Sequence, residues 1–453
     1  MALDQQRNWT ISMAENLEQV KRRGIQPLMR KQQIQKDASQ QKVGKNAEPP
    51  RVWTTPPVYL PDEVIIQILE FVARFQESQE TLASCCLLSR QWHQAAVPFL
   101  YARPWLTGKN FDAFYRAMCP TKNKHIQKSP FEGMVKILDM SKLVHSGSKS
   151  VTGRILSRTK ENLEQFVAPQ ATFSMYSFPA LSKCKQLHLL DLSLVSESPP
   201  LTDLFRTVSH LERLTTLRLP RSSGFSNTPF DPSAMQWPPN LESLSLSGAI
   251  DVHFLQGVVT FPITLRSLVI EHCPAARASA INHLLRTSVR TLPNLEHLRL
   301  ANLPRMSFCS LDNVLAILPG LTKLSISVDY ITGALFDLEN PERVFNDPEP
   351  PPSSKPVVTR HEWITGRPCQ LRKLELTNSG NPGVEDKITP IDVLIAVQDG
   401  TLPSLRQVSV AKSLFWQCEP NAAESDALAD ALKESAIEHG DSAEETGVWT
   451  FEG

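Results

Sequence analysis

Two patterns of apolar and polar positions run along the chain, one after the other. Between residues 60 and 101 the apolar side chains follow helical spacing. Val64, Ile65, Ile68, Leu69, Val72 and Phe75 fall on one broad face, the wide stripe of an amphipathic helix, with Asp62 placed to cap its amino end. A second helix is expected after Ser78, with Leu82, Cys85, Cys86 and Leu88 inward or near inward. A third follows Ser89 and carries Trp92 and Ala96 until Pro98, which has no amide proton to continue it. Beyond residue 130 the spacing changes: apolar residues fall at positions 0, 3 and 5 of a hexapeptide that keeps restarting. The matches are LHLLDL from Leu187, LTTLRL from Leu214, LESLSL from Leu241, LRSLVI from Leu265, LEHLRL from Leu295, LTKLSI from Leu321, LRKLEL from Leu371 and LRQVSV from Leu405. Two weaker ones, VKILDM from Val135 and LEQFVA from Leu163, extend the series toward the helices.

From Val135 to Leu321 successive starts lie 24 to 30 residues apart. Leucines on a helix would recur every three or four residues without such a restart. The repeat therefore predicts a solenoid in which each hexapeptide is a short parallel strand with inward leucines, and the intervening residues return by a helix or irregular turn. Residues 278–290 and 311–318 have the spacing of such return helices, and Pro-x-Leu before several strands (PPNLESL, LPNLEHL, LPGLTKL, LPSLRQV) fits a chain leaving a helix. The period is similar to that of leucine-rich repeats. The expected fold class is α/β: a short all-α module, then a solenoid with parallel strands on its concave face and helices or irregular turns on its convex face. Between Leu321 and Leu371 the interval is 50 residues and contains DPEPPPSSKP; a proline run cannot join a central strand. A surface insertion is expected at about 340–368.

Charge and composition change this picture at the ends. Lys+Arg and Asp+Glu number 47 each, so the chain as a whole has no field to gather nucleic acid or an anionic membrane. Residues 1–50 carry nine basic against five acidic side chains, whereas 419–453 carry ten acidic against one basic. Both ends are expected to be solvated tails, the first with a basic cluster at Lys21, Arg22, Arg23, Arg30 and Lys31 that has the composition of a nuclear import signal. The eight cysteines show no C-x-x-C spacing, which argues against a disulfide or zinc framework and for a reducing compartment. The amino end has no secretory apolar core, and no window of about 18 apolar residues could span a membrane. A cytoplasmic or nuclear location is expected. The boundaries that follow are a basic tail over 1–56, the helical module over 57–102, a helical linker over 103–130, the solenoid over 131–418 and an acidic tail over 419–453.

The helical module carries a more specific signal. LPDEVIIQILEFV, then Leu82, then CCLLSRQWHQAAVPFLY resembles the F-box: an opening Leu-Pro with a following acidic residue, Ile-Leu further along, Ser-Arg-x-Trp, and a closing Pro-x-Leu-Tyr. The resemblance covers Leu60 to Tyr101. Thr81 stands where an aspartate is usual, and the polar loop over 76–80 is longer than average. Together with the repeats, the module resembles fungal F-box/leucine-rich-repeat proteins, the substrate receptors of Skp/cullin/F-box ubiquitin ligases. That resemblance implies that Leu60, Pro61, Ile65, Ile68, Leu69, Leu82, Leu88 and Trp92 are shared between internal packing and docking on the Skp adaptor, which in turn carries cullin. The sequence leaves open which residue does which.

No chemistry competes with this reading. There is no Gly-rich phosphate loop, no G-x-S-x-G elbow and no H-E-x-x-H helix, and the histidines are scattered. No catalytic site, metal site or cofactor is expected. Function then rests on surfaces. Between the inward leucines the strands turn Asp191, Arg218, Ser245, Val269, Glu271, His297, Arg299, Lys323, Ser325, Lys373, Glu375, Gln407 and Ser409 to the concave side. His297, Arg299, Lys323 and Lys373, with Glu375 beside them, form a mildly basic band that would suit an acidic or phosphorylated protein target. The alternatives are an F-box scaffold that pairs with the Skp adaptor outside ubiquitination, and a repeat scaffold with only an F-box-like cap.

Overall fold

The computed structural model describes residues 60–75, 78–120, 129–143, 148–197, 199–222, 235–248, 250, 252–256, 261–338, 369–380, 387–442 and 445–452. The expected basic tail over 1–56 and the insertion at about 340–368 lie outside the described residues. The chain divides into two compact units between Leu187 and His188.

The first unit opens with α1 (Asp62–Ala73), α2 (Ser78–Leu88) and α3 (Arg90–Ala102), followed by α4 (Phe111–Met118) in the expected linker. Two parallel strands, β1 (Ile137–Asp139) and β2 (Gln165–Val167), come from the two weaker hexapeptides; α5 (Lys149–Thr159) lies between them and α6 (Phe178–Leu181) after them. Ile65, Leu69, Leu82, Cys86, Ala96 and Leu100 form the module's core. Gln91 ties α3 back to the start of α1, its amide donating to the Leu60 carbonyl at 2.9 Å and to Asp62 Oδ1 at 2.6 Å.

Three local expectations change. Pro61, not Asp62, occupies the cap position of α1, and its side chain makes no capping hydrogen bond. Pro98 does not end α3, which runs to Ala102. Pro98 and Gln94, whose carbonyl the ring would disturb, are both exposed, so water can serve the carbonyl that loses its partner. The helix starts where expected, with Ser89 Oγ accepting the Trp92 N–H at 3.2 Å. Leu88, expected near inward, is 65% exposed.

The second unit is a parallel sheet of nine strands in sequence order: β3 (Leu189–Asp191), β4 (Thr216–Arg218), β5 (Ser243–Leu246), β6 (Ser267–Glu271), β7 (His297–Ala301), β8 (Lys323–Ser327), β9 (Lys373–Thr377), β10 (Gln407–Ala411) and β11 (Gly447–Phe451). The connections hold α7 (Leu201–Val208), α8 (Val252–Gln256), α9 (Ala278–Thr291), α10 (Val314–Ile317), α11 (Pro390–Gln398) and α12 (Ala422–Glu438). This is a solenoid-like α/β arrangement. Strand register places Leu190, Leu217, Leu244, Leu268, Leu298, Leu324, Leu374 and Val408 in one continuous row, none of them more than 1% exposed. Leu246, Ile270, Leu300, Ile326, Leu376 and Val410 form a second buried row. Removing one such leucine to alanine costs about 2–5 kcal/mol, so the hexapeptide pattern is the core itself.

The acidic segment 419–453 is not a solvated tail. It folds into α12 and β11 and extends the sheet beyond the expected limit at residue 418. Leu428, Leu432 and Ala436, at helical spacing, are fully buried, while most of the acidic side chains of α12 face water. Arg406 fixes the end of the segment: its Nε donates to Asp441 Oδ2 at 2.9 Å and its Nη1 to the Pro403 and Leu405 carbonyls.

Candidate functional site

Two surfaces carry the residues singled out in the sequence, one in each unit. In the first unit, α1 is apolar on two adjoining stripes. The inner stripe, Ile65 and Leu69, is fully buried. The outer stripe, Val64, Ile68, Phe71 and Phe75, is spaced four, three and four residues apart, and its members are 39%, 38%, 60% and 57% exposed. Phe71 and Phe75 meet edge to face at 5.1 Å. Leu87 and Leu88 at the end of α2 are also exposed. Single exposed apolar residues are ordinary, but a helix-long row of large ones marks an interaction surface.

This geometry separates the eight residues that the sequence could not divide. Ile65, Leu69 and Leu82 are core. Ile68 and Leu88 are exposed. Pro61 is exposed and opens α1, its carbonyl accepting the Val64 and Ile65 amides. Leu60 and Trp92 are half-buried at the module's rim. Val64, Phe71, Phe75 and Leu87, which are exposed as well, stand outside those eight; the signal available was that α1 has more apolar positions than one inward stripe can use.

In the second unit, the side chains between the leucine rows form a hydrogen-bonded charge network. Arg299 donates from Nε to Glu271 at 3.3 Å and from Nη1 to Ser325 Oγ at 2.9 Å and Glu375 Oε1 at 2.6 Å. Lys323 pairs with the other oxygen of Glu375 at 3.3 Å, and the Ser325 hydroxyl donates to Glu375 at 3.0 Å. Burial alone would raise the Glu375 pKa, but Lys323, the Ser325 hydroxyl and Arg299 outweigh it and hold the carboxyl below its ordinary range. The expected basic band is thus partly neutralised from within: the carboxylates of Glu271 and Glu375 take up Arg299 and Lys323. Among the described residues, no side-chain partner is found for His297 or Lys373, which flank Lys323 in register.

Among the described residues, no three His, Cys, Asp or Glu side chains converge as metal ligands. Burial pushes the Cys86 thiol up to about 12 and raises that of Cys85, which disfavours the thiolate at both. A hollow of about 380 Å³ in the first unit is walled by Phe75, Leu82 and Phe99. Asp139 supplies the carboxylate among its lining residues, and one oxygen accepts the Ser141 amide at 2.9 Å. No helix among the described residues is long and apolar enough to cross a membrane.

The chain thus joins a three-helix module with an exposed apolar stripe to a repeat sheet with a polar, charged face. Residues 58–107 match the F-box-like family model. The chain is 32% identical over 351 residues to F-box protein YDR306C of Saccharomyces cerevisiae, covering 76% of this chain and 65% of that protein. It is 26% identical over 362 residues to Protein pof5 of Schizosaccharomyces pombe, covering 79% of this chain and 92% of that protein. Residues 58–107 are thus an F-box-like segment, and the chain spans less than two thirds of the length of the Saccharomyces relative.

Proposed function

We propose that the chain is a non-catalytic substrate-recognition subunit of a Skp/cullin/F-box ubiquitin ligase. Its F-box module docks on the Skp adaptor, and its leucine-rich repeats hold a protein target for ubiquitination, in the cytoplasm or nucleus. F-box proteins generally act in this way. The observation that carries the proposal is the outer stripe of α1, Val64, Ile68, Phe71 and Phe75, continued by Leu87 and Leu88, within the segment that matches the family model. Such a surface binds by shedding water, at about 25 cal/mol for each Å² of apolar area covered. Linking adaptor and target sites in one chain raises the effective concentration of the target beside the transfer machinery.

The test is co-purification of the full chain with a Skp adaptor and cullin, comparing wild type with Phe71→Ala and Leu88→Ala. Adaptor and cullin should accompany wild type and be depleted from the variants. No adaptor with wild type would defeat the proposal. Adaptor without cullin, and no target that accumulates on deletion, would favour a scaffold acting outside ubiquitination.

A further inference from the structure

The strand face of the second unit carries a more specific arrangement than a charged band. Register sets Lys323, Lys373, Gln407 and Gly447 side by side on four successive strands, and Ser325, Glu375, Ser409 and Trp449 in the next row on the same face. Trp449 is 42% exposed on β11. Its ring turns back along the strand over Gly447: a Cβ built at Gly447 would lie 3.7 Å from Trp449 Cη2 and 3.9 Å from Cζ2. Gly447 also has φ +153°, a conformation that favours glycine. The row that begins with His297, Lys323 and Lys373 therefore ends on an exposed indole.

The charges on this face are unevenly satisfied. Glu375 is the shared acceptor that fixes Arg299 and Lys323, while Lys373 has no side-chain partner among the described residues. The three cations Arg299, Lys323 and Lys373 face the two carboxylates Glu271 and Glu375, which leaves one positive charge on the Lys373 side. Adjacent strands lie about 4.8 Å apart. Lys323 and Lys373 are thus near enough to share one anionic group, and the indole lies two strand spacings, about 9.6 Å, beyond Lys373. An extended polyproline-II segment rises about 3.1 Å per residue with three residues per turn. Its residues i and i+3 therefore project to one side about 9.3 Å apart, close to that separation.

We infer that this face binds an extended protein segment carrying an anionic side chain, carboxylate or phosphate, and an apolar side chain three positions away. The anion sits at Lys373, on the side where Lys323 adds to the positive field, and the apolar residue lies on Trp449. Glu375 is a positioning residue that keeps Arg299 and Lys323 in place. The inference rests on the proposed receptor role and supplies the chemistry of the target.

The experiment uses the full chain and fluorescein-labelled peptides that differ only at two positions: Glu-x-x-Leu, phosphoserine-x-x-Leu, Ser-x-x-Leu and Glu-x-x-Ser, read by fluorescence anisotropy. Each anionic Leu peptide should bind wild type about fivefold or more tightly than Ser-x-x-Leu, the scale of a partly exposed charge pair. A phosphoserine peptide that outbinds the glutamate one assigns a phosphorylated target; equal binding assigns a carboxylate. Lys373→Glu should remove the preference for the anion. Trp449→Ala should remove the preference for Leu over Ser while keeping that for the anion. The same preferences in both variants as in wild type, no preference in wild type, or equal displacement of the peptide by single-stranded DNA would overturn the inference. Adaptor co-purification is followed in the same variants. If it persists while the peptide preferences are absent, this inference alone falls; if it is absent while they hold, the receptor role falls.

Discussion

Glu375 is the centre of the charge network, so replacing it with glutamine should loosen the second unit by a calculable amount. The substitution keeps the shape and removes the charge. Three interactions change: the 2.6 Å hydrogen bond from Arg299, the 3.3 Å ion pair with Lys323 and the 3.0 Å bond from Ser325. A hydrogen bond to a charged group contributes about 1.5–3 kcal/mol and an exposed pair about 0.2–1. The side chains of Arg299 and Lys323 are 36% and 38% exposed, which screens both, and the glutamine still accepts a hydrogen bond. The expected loss is about 1 kcal/mol at neutral pH. The pH dependence follows from the depressed pKa of Glu375. A carboxyl held lower in the folded than in the unfolded chain stabilises fully above its ordinary range, near 4.3, and loses that contribution as pH falls through the folded value. Urea denaturation of wild type and Glu375→Gln, repeated from pH 7 down into the carboxylate range, should therefore show a gap that closes on acidification. Equal stability at pH 7, or a gap that stays constant with pH, would refute the network's role.

The two stripes of α1 should respond in opposite ways to alanine. Leu69→Ala, at a fully buried position, should cost about 2–5 kcal/mol of stability by melting or urea denaturation. Phe71→Ala should leave stability within about 0.5 kcal/mol. An aromatic side chain buries about 200 Å² and Phe71 is 60% exposed, so about 120 Å² awaits a partner; at 25 cal/mol per Å², less what the alanine keeps, its loss should weaken adaptor binding by about 2 kcal/mol, roughly thirtyfold. At the other end of the chain, Asp441→Ala removes the carboxylate from Arg406, whose side chain is 10% exposed. Hydrogen exchange across 445–452 should speed up there, with a cost of about 2–3 kcal/mol for the charge left without its anion, and unchanged exchange would show that β11 is held by other means.

The buried half of this fold was legible because each apolar position in the hexapeptide is a core position: the first, fourth and sixth residues face inward in strand after strand. Even the weak matches VKILDM and LEQFVA form β1 and β2. The carboxyl end was not legible because β11 reads GVWTF, without the leucine spacing, and because α12 hides its buried residues among acids that point to water. Leu88 was misplaced for a related reason: apolar spacing shows where a stripe lies but not whether the chain itself or a partner covers it. The band was read as mildly basic, with Glu375 only beside it, because the sequence shows charges one strand at a time. Only register brings Glu375, from 50 residues beyond Ser325, onto both Arg299 and Lys323.

Hydrogen exchange of the full chain with and without a Skp adaptor addresses the docking surface directly. Slowed exchange is expected through α1, the end of α2 and the start of α3, residues 60–75 and 86–92, with β7, β8 and β9 unchanged. Absence of a complex, or protection on the strands with α1 exchanging as in the free chain, would contradict the assignment of the outer stripe as the adaptor surface.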